Sequence, residues 1–450
     1  MSMLERFARH NQSLRAYRGR PYFKPKSVHI SDDGQNGYSL FSRQRDIMNQ
    51  MLSPTIKHSS FDGSSSTLTF SRRSPSPRGH SSEQLTSNEL AESDWNRTKL
   101  LNLSDSVRAR LRDGNVSGLG GERLSSFLEA ALTDEERKHP TLDFETIEYA
   151  RLDKLLAELL QSADTIKPSD LTPELLLRFR VNVSQAKSLR RLWRRRFREQ
   201  YFMMDQHRCA ILVEGGRLKD VSFNSSLDYD LGKWQTKKLT GPVSEVEANL
   251  EFEPGHWWLN ITCAERDGIV NSSLETPTEG CYGFTALPLL TGSEELIRHN
   301  MVRYVREGRT SDMHISLISQ VGRKIRIIRG YKLKSIFAPE AGLRYDGLYT
   351  IRQYGFKLDN NTNKYRLELT LERAADQRSF EGVRKVPRPS QLDDWALYEK
   401  LEGDKVKLLQ GEASYLDWKL KQREEKLDQE EWRRAGLFKA SFSTGISGRS

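Results

Sequence analysis

The sequence has 450 residues, with 71 Lys and Arg against 61 Asp and Glu, and a formal net charge of +10. This length suits about two or three domains, and the surplus of positive charge favours an anionic partner such as nucleic acid. Three cysteines, no Cys-x-x-Cys pair and no apolar run near the ~20 residues that span a bilayer exclude a disulfide scaffold, a cysteine-rich zinc module and a membrane span. We expect an intracellular protein without a metal or another cofactor.

Residues 1–95 are predicted to form a disordered basic arm. They are rich in Ser, Arg, Gln, Asn and Gly, and their apolar residues follow neither the helical nor the strand period. Such a segment cannot bury enough surface to offset the entropy of ordering it. Two Ser-Pro steps between arginines in residues 71–79 are candidate phosphorylation sites. A solvated basic linker is the plainer interpretation of the same residues.

Residues 121–205 are predicted to form a small helical domain. Apolar residues recur at helical spacing between 124 and 160. Thr172 as N-cap and Pro173 at the first helical position predict a further helix. The segment 184–202 then carries apolar side chains on one side and basic side chains on the other.

The segment 187–198 is the most basic part of this domain, with seven cations and no acid. The cations are Lys187, Arg190, Arg191, Arg194, Arg195, Arg196 and Arg198. Such density suits contact with several phosphates and also recognition by nuclear import receptors. A solvated helix face is the alternative. We expect both nucleic-acid contact and import, and hence a nuclear protein.

Residues 206–380 show the period of strands. Short apolar runs separated by turn residues occur at 209–213, 323–330, 348–354 and 364–373. Four apolar residues share one face of the last run: Tyr365, Leu367, Leu369 and Leu371. We therefore predict an α+β fold, in which a mainly antiparallel β-barrel with flanking helices follows the helical domain and the disordered arm.

Residues 391–440 are predicted to form one or two charged amphipathic helices. Acidic and basic residues alternate around scattered Leu and Trp, with interruptions at Gly403 and Gly411. Helices of this kind either pack on the core of their own protein or bind a partner. We prefer packing on the protein's own core.

Residues 337–351 contain Tyr345, Asp346 and Gly347, which enter a predicted strand after a turn with Pro and Gly. This segment resembles the hallmark of the SRA (SET and RING associated) or YDG domain family. The resemblance is strongest over residues 255–375, about a quarter of the chain. It implies an SRA-like barrel whose concave face binds duplex DNA and turns a 5-methylcytosine out of the stack into a pocket. Nonspecific DNA binding by the same surface is the alternative.

The resemblance also implies which residues contact DNA. The segment 290–295 matches the family's pocket, so Glu294 or Glu295 would accept a hydrogen bond from the cytosine amino group. Tyr304 would be a retained aromatic, and Tyr282 would replace a stacking tyrosine that this sequence lacks. The hallmark residues would lie on the same face: Tyr345, Asp346 and Gly347. Four cations before the hallmark would hold phosphates: Arg323, Lys324, Arg326 and Arg329.

No combination of residues predicts catalysis. Glu294 and Glu295 are adjacent on a strand and point to opposite faces. Asp312 and His314 are typical of a surface hydrogen bond, and Cys281 is expected to be structural unless His256 or His299 comes near it. The SET and RING domains of some SRA proteins need cysteine clusters that this sequence lacks.

We therefore expect a noncatalytic nuclear chromatin protein that binds double-stranded DNA, with reading of methylated cytosine as the finer form of this function. Chromatin proteins and ubiquitin- or histone-modifying proteins are the expected partners, and no membrane is. The alternative function is a protein-interaction scaffold with a degenerate SRA pocket.

Overall fold

The computed structural model describes residues 95–114, 121–166, 172–224, 233–237, 241, 243–298, 300–359 and 363–446. Apart from Trp95, the predicted N-terminal arm lies outside the described residues. The described residues belong to one compact unit. None of their helices combines the length and the apolar character needed to cross a membrane.

The described residues contain eight α-helices. In chain order these are α1 Arg97–Arg112, α2 Glu122–Glu135, α3 Phe144–Tyr149, α4 Leu152–Thr165, α5 Pro173–Glu214, α6 Ile261–Arg266, α7 Phe380–Arg384 and α8 Pro389–Ile446. Helices α1 to α5 pack around one apolar core, in which Phe127, Leu155 and Trp193 are fully buried. The helical domain is therefore larger than the predicted range 121–205, because α1 precedes that range and α5 extends beyond it.

Helix α1 has an inward face that is partly polar, which explains why the apolar period did not reveal it. Its buried residues include Ser104, Asp105 and Arg108. Arg108 Nη2 lies 2.6 Å from Glu158 Oε1 of α4 and 2.7 Å from Asp393 Oδ1 of α8. These acidic partners are 50 and 285 residues away in the sequence. A local pattern cannot show that such a polar face will be buried.

Helix α5 begins where the sequence predicts. The Thr172 side chain accepts a hydrogen bond from the backbone three residues later, and Pro173 occupies the first turn. The helix then runs to Glu214 with one break at Arg198, whose φ of 45° and ψ of −119° are not helical. The two parts of α5 therefore meet at Arg198, within the basic segment.

The predicted strand at residues 209–213 is wrong, because these residues continue α5. Arg208 and Leu212 are both buried and lie four residues apart, which is the period of a helix rather than of a strand. A short apolar run fits either structure when it is considered alone. The first strand accordingly begins at Val221 and not near residue 206.

Ten strands follow. They are β1 Val221–Asn224, β2 Lys233–Thr236, β3 Trp257–Trp258, β4 Thr278–Gly280, β5 Gly283–Leu289, β6 Ser293–Arg298, β7 Met301–Gly308, β8 Lys324–Gly330, β9 Leu343–Asp359 and β10 Lys364–Arg373. Strands β1 and β2 form a separate pair, and the others form one sheet in the order β4-β5-β8-β9-β10-β7-β6, with β3 paired to β9. All pairs of strands are antiparallel except β5 with β8.

The α+β class and the mainly antiparallel sheet are confirmed, but the barrel is not closed. The path of paired strands ends at β4 and at β6, which are not paired with each other among the described residues. The predicted strand at 364–373 is confirmed as β10, and its alternation is that of a strand with one buried face. Three of its four predicted inward residues are buried, namely Leu367, Leu369 and Leu371.

Helix α8 is a hairpin of two arms that meet at Gly411, where φ is 89°. The predicted interruption at Gly411 is therefore confirmed, whereas Gly403 lies inside the first arm. A Cβ at Gly403 would lie 2.9 Å from the Trp418 ring of the second arm, so glycine lets the arms approach closely. Trp395 of the first arm packs against Tyr331, with ring centroids 4.9 Å apart. Packing of this arm on the protein's own core is confirmed.

Candidate nucleic-acid interface

Four charged side chains form a buried ion cluster inside the sheet: Glu294 of β6, Arg329 of β8, and Arg344 and Asp346 of β9. Arg329 Nε and Nη2 lie 2.8 and 2.9 Å from the two carboxylate oxygens of Glu294, and its Nη1 lies 2.6 Å from Asp346 Oδ2. Arg344 Nε donates to Asp346 Oδ1 at 2.5 Å. Burial alone disfavours the guanidinium charge, but the acidic groups around it outweigh burial and raise the pKa of Arg329 above its ordinary value.

This buried ion cluster contains two of the residues predicted to form a base-binding pocket, Glu294 and Asp346. Glu294 uses both of its carboxylate oxygens on Arg329. Tyr304 lies opposite Glu294 across the β6–β7 pair, but it is only 2% exposed and its hydroxyl donates to the Thr291 carbonyl at 3.1 Å. In this structure Glu294, Tyr304 and Asp346 are buried and do not face an open pocket, and Arg329 is enclosed by carboxylates rather than exposed to a phosphate. The opposite charges bind one another inside the sheet instead.

Arg326 and Tyr345 are also turned inward, and both contact Glu247. Arg326 Nε lies 3.0 Å from Glu247 Oε2, and its Nη2 donates to the Ser244 carbonyl at 2.6 Å. The Tyr345 hydroxyl donates to the other carboxylate oxygen of Glu247. Arg326 and Tyr345 are therefore buried in this structure and not exposed for the predicted contact with DNA. Other segments cover both faces of β8. The basic residues of this strand suggested an exposed face, so this burial was not predictable from its sequence.

Gly347, the last residue of the hallmark, has a packing role. Its φ of 96° lies in the left-handed region that favours glycine. A Cβ at this position would lie 2.1 Å from Oε1 of Gln377. The Gln377 side chain accepts from the Leu348 amide and donates to the Leu348 carbonyl, both at 2.8 Å. The predicted DNA contact of Gly347 is replaced by this close approach of Gln377.

Four of the residues predicted to form the pocket or to hold phosphates before the hallmark remain on the surface: Tyr282, Glu295, Arg323 and Lys324. Tyr282 is 84% exposed, and its carbonyl accepts from Arg323 Nη1 at 2.7 Å. Lys324 Nζ lies 3.4 Å from Asp376 Oδ2 on the surface. Glu295 belongs to β6, at the opposite end of the sheet from β4. The structure does not bring these four residues together around one pocket.

Asp312 and His314, which were considered for catalysis, have structural partners, whereas Cys281 is exposed and is not the buried structural thiol that the sequence predicts. The Asp312 carboxylate accepts from a backbone amide three residues earlier at 3.0 Å. His314 Nε2 lies 3.2 Å from the Glu275 carbonyl oxygen. Burial lowers the pKa of His256 to about 4, and this side chain packs among aromatic rings. His299 lies outside the described residues.

The basic segment 187–198 forms one exposed face of α5. Five cations are exposed on it: Lys187, Arg191, Arg194, Arg195 and Arg198. At 3.6 residues per turn, these positions fall within an arc of about 100°. On the opposite side of the helix, Ala186, Leu189 and Trp193 are fully buried in the helical core. The predicted division of this helix into an apolar side and a basic side is confirmed.

The other two cations of the segment are partly buried. Arg196 Nη1 lies 2.5 Å from Glu135 Oε1, and its Nη2 donates to the Pro140 carbonyl at 3.1 Å. Arg190 is half-buried. Arg196 therefore links α5 to the rest of the helical domain, and its predicted contact with DNA or an import receptor stays a prediction.

Arg180 is an exposed cation that the sequence prediction missed. It lies seven residues, about two turns, before Lys187 and therefore on the same face of α5. We call the six exposed cations of this face the basic surface: Arg180, Lys187, Arg191, Arg194, Arg195 and Arg198. It extends over about 27 Å at 1.5 Å per residue. No ion pair within the described ranges joins any of the six to an acidic side chain. The sequence between 175 and 198 contains no acid either.

No protein-family model matches this chain, and no curated protein does. Among solved structures, the SRA domain of SUVH5 in complex with hemimethylated CG DNA is 17% identical, over 32% of this chain and 98% of that one, with a TM-score of 0.23. The modification-dependent TagI restriction endonuclease is 18% identical to this chain. The match covers 31% of this chain and 54% of the endonuclease, with a TM-score of 0.24. SUVH6 of Arabidopsis thaliana, in complex with SAM, is 16% identical to this chain. The match covers 40% of this chain and 33% of SUVH6, with a TM-score of 0.26. At these scores the likeness carries no inference about the ligand of this chain.

Proposed function

We propose that this chain is a nuclear, noncatalytic protein that binds double-stranded DNA through the phosphate backbone. The basic surface of α5 is the contact, and the sheet is a scaffold rather than a base-flipping reader. The observation that carries this proposal is the exposure of six cations on one helix face, with no acidic partner for them among the described side chains.

The arrangement of the basic surface suits a duplex better than a small anion. Its cations follow one helix over about 27 Å, and duplex DNA carries one negative charge per ~1.7 Å of its axis. The opposite side of α5 is held in the helical core, so this helix presents its cations without having to fold on binding. Contacts to phosphate fix the position of a protein on DNA but carry no direct information about sequence.

The buried ion cluster supports the second half of the proposal. A flipped cytosine would have to displace Arg329 from Glu294 to reach that carboxylate, and Asp346 would then keep only Arg344 as a charged partner. Breaking a buried pair in this way is strongly unfavourable. Methylation of the cytosine ring is therefore not read by these residues.

Nuclear location follows in this proposal from the same surface, because clustered Lys and Arg are what import receptors recognise. Absence of catalysis is proposed because the candidate residues Asp312, His314 and His256 have structural roles. Recruitment of chromatin proteins or of ubiquitin- or histone-modifying proteins stays a prediction from the resemblance.

Measuring the affinity of the full chain for a short duplex at several salt concentrations tests the proposal. If all six cations of the basic surface contact phosphates, the logarithm of the binding constant should fall with the logarithm of salt concentration with a slope of about −5. A protein whose ordinary surface cations touch DNA only incidentally gives a much shallower slope. Absence of binding at low salt would contradict the proposal.

A further inference from the structure

An exposed aromatic ring extends the basic surface past the break at Arg198. Phe202 is 67% exposed, and Met203 beside it is 43% exposed. The guanidinium carbon of Arg194 lies 5.6 Å from the centroid of the Phe202 ring, so the ring is in contact with the basic surface. Tyr201 is half-buried and packs edge-on against Phe202, with centroids 6.0 Å apart.

The exposure of Phe202 needs an explanation because the fold gains little from it. A phenylalanine stabilises a protein chiefly by removing its apolar surface from water, and most of this ring remains in water. Its neighbours Tyr201 and Arg194 hold the ring in place at one side. An exposed aromatic ring therefore lies beside cations that have no acidic partner among the described residues.

Proteins that bind unpaired nucleotides combine these two features. Cations follow the backbone, and an aromatic side chain stacks on a base, in a contact that tolerates any base because every base has a π-face. Bases inside a duplex already stack on both sides and offer no free face. A base in an unpaired stretch has a free face on which the Phe202 ring can stack.

We propose that Phe202 stacks on an unpaired base and that the preferred ligand is DNA in which a duplex continues into a single strand. This inference rests on the proposed function, since the basic surface would hold the paired part of the same molecule. Arg194 lies beside the ring and is the cation closest to the base, where its charge also favours the stacked arrangement.

Three DNAs that share one duplex separate stacking from charge. The first is blunt, the second carries a single-stranded tail, and the third carries an abasic tail of the same length, with the same phosphates but no bases. We expect the full chain to bind the tail with bases about 5- to 100-fold more tightly than the abasic tail. The affinities are measured by fluorescence anisotropy, with tails of either polarity.

Variants of the exposed side chain assign the effect. Phe202→Ala should abolish the difference in affinity between the tail with bases and the abasic tail, and should leave the affinity for the blunt duplex unchanged. Phe202→Trp should retain that difference in affinity. Ile211→Ala is the matched control, because Ile211 is a 49% exposed apolar residue on the same helix and away from the basic surface. It should leave all three affinities unchanged.

Two results would overturn the inference. One is equal affinity of the unmodified chain for the tail with bases and the abasic tail, and the other is a difference that survives in Phe202→Ala. A chain that binds none of the three DNAs contradicts the proposed function instead, so the two failures are distinguishable.

Discussion

Replacing Arg329 with methionine is expected to lower the free energy of unfolding of the sheet by about 3–5 kcal/mol. Methionine fills a similar space but supplies no charge. Glu294 would keep only Ser335 as a partner, and Asp346 only Arg344, although both carboxylates stay buried. An unpaired buried carboxylate is far more costly than the loss of an exposed ion pair.

Arg323→Met is the matched control, because Arg323 precedes the same strand but is exposed. It should change stability by less than about 0.5 kcal/mol. Guanidinium denaturation gives the free energies, and hydrogen exchange of β8 to β10 shows whether the loss is in the sheet. Equal midpoints for the two variants would mean that the buried ion cluster does not hold the sheet together.

Removing four cations of the basic surface is expected to weaken DNA binding by about 100- to 1,000-fold at moderate salt. The variant replaces with glutamine Arg191, Arg194, Arg195 and Arg198. Each phosphate contact that is lost should also reduce the steepness of the salt dependence by about 0.9, so the slope should become shallower by about 3.6. Anisotropy titrations at several salt concentrations measure both quantities.

A second variant with the same change in net charge is the control. It replaces with glutamine four exposed arginines elsewhere: Arg110, Arg298, Arg352 and Arg423. Because these lie outside the basic surface, we expect its affinity and slope to stay close to those of the unmodified chain. Comparable losses in the two variants would show that overall charge, and not the basic surface, drives binding.

Elements with a clear apolar period were predictable from the sequence. Strand β10 alternates buried leucines with polar residues because one of its faces packs on a core. The basic and apolar sides of α5 were predictable for the same reason, since Ala186, Leu189 and Trp193 recur at helical spacing. In both elements, burial depends on residues that are close together in the chain.

Elements with buried polar faces were not predictable. Arg326 and Arg329 look like surface cations, and their acidic partners Glu247, Glu294 and Asp346 become neighbours only when the sheet forms. Helix α1 was missed because its inward face is held by ion pairs with distant residues rather than by an apolar stripe. The structure therefore favours α5 over the hallmark segment as the candidate site, because the exposure and the charge of the α5 cations are local properties of one helix.

The central claim is that the protein binds the phosphate backbone and flips no base. The most direct test measures binding of the full chain to one duplex in three forms: unmethylated, hemimethylated and fully methylated. We expect all three forms to bind at moderate salt with affinities within about twofold of each other, since phosphate contacts do not sense the cytosine ring. A preference of about tenfold or more for either methylated form, which corresponds to about 1.4 kcal/mol of base-specific contact, would contradict that claim, as would absence of binding to all three.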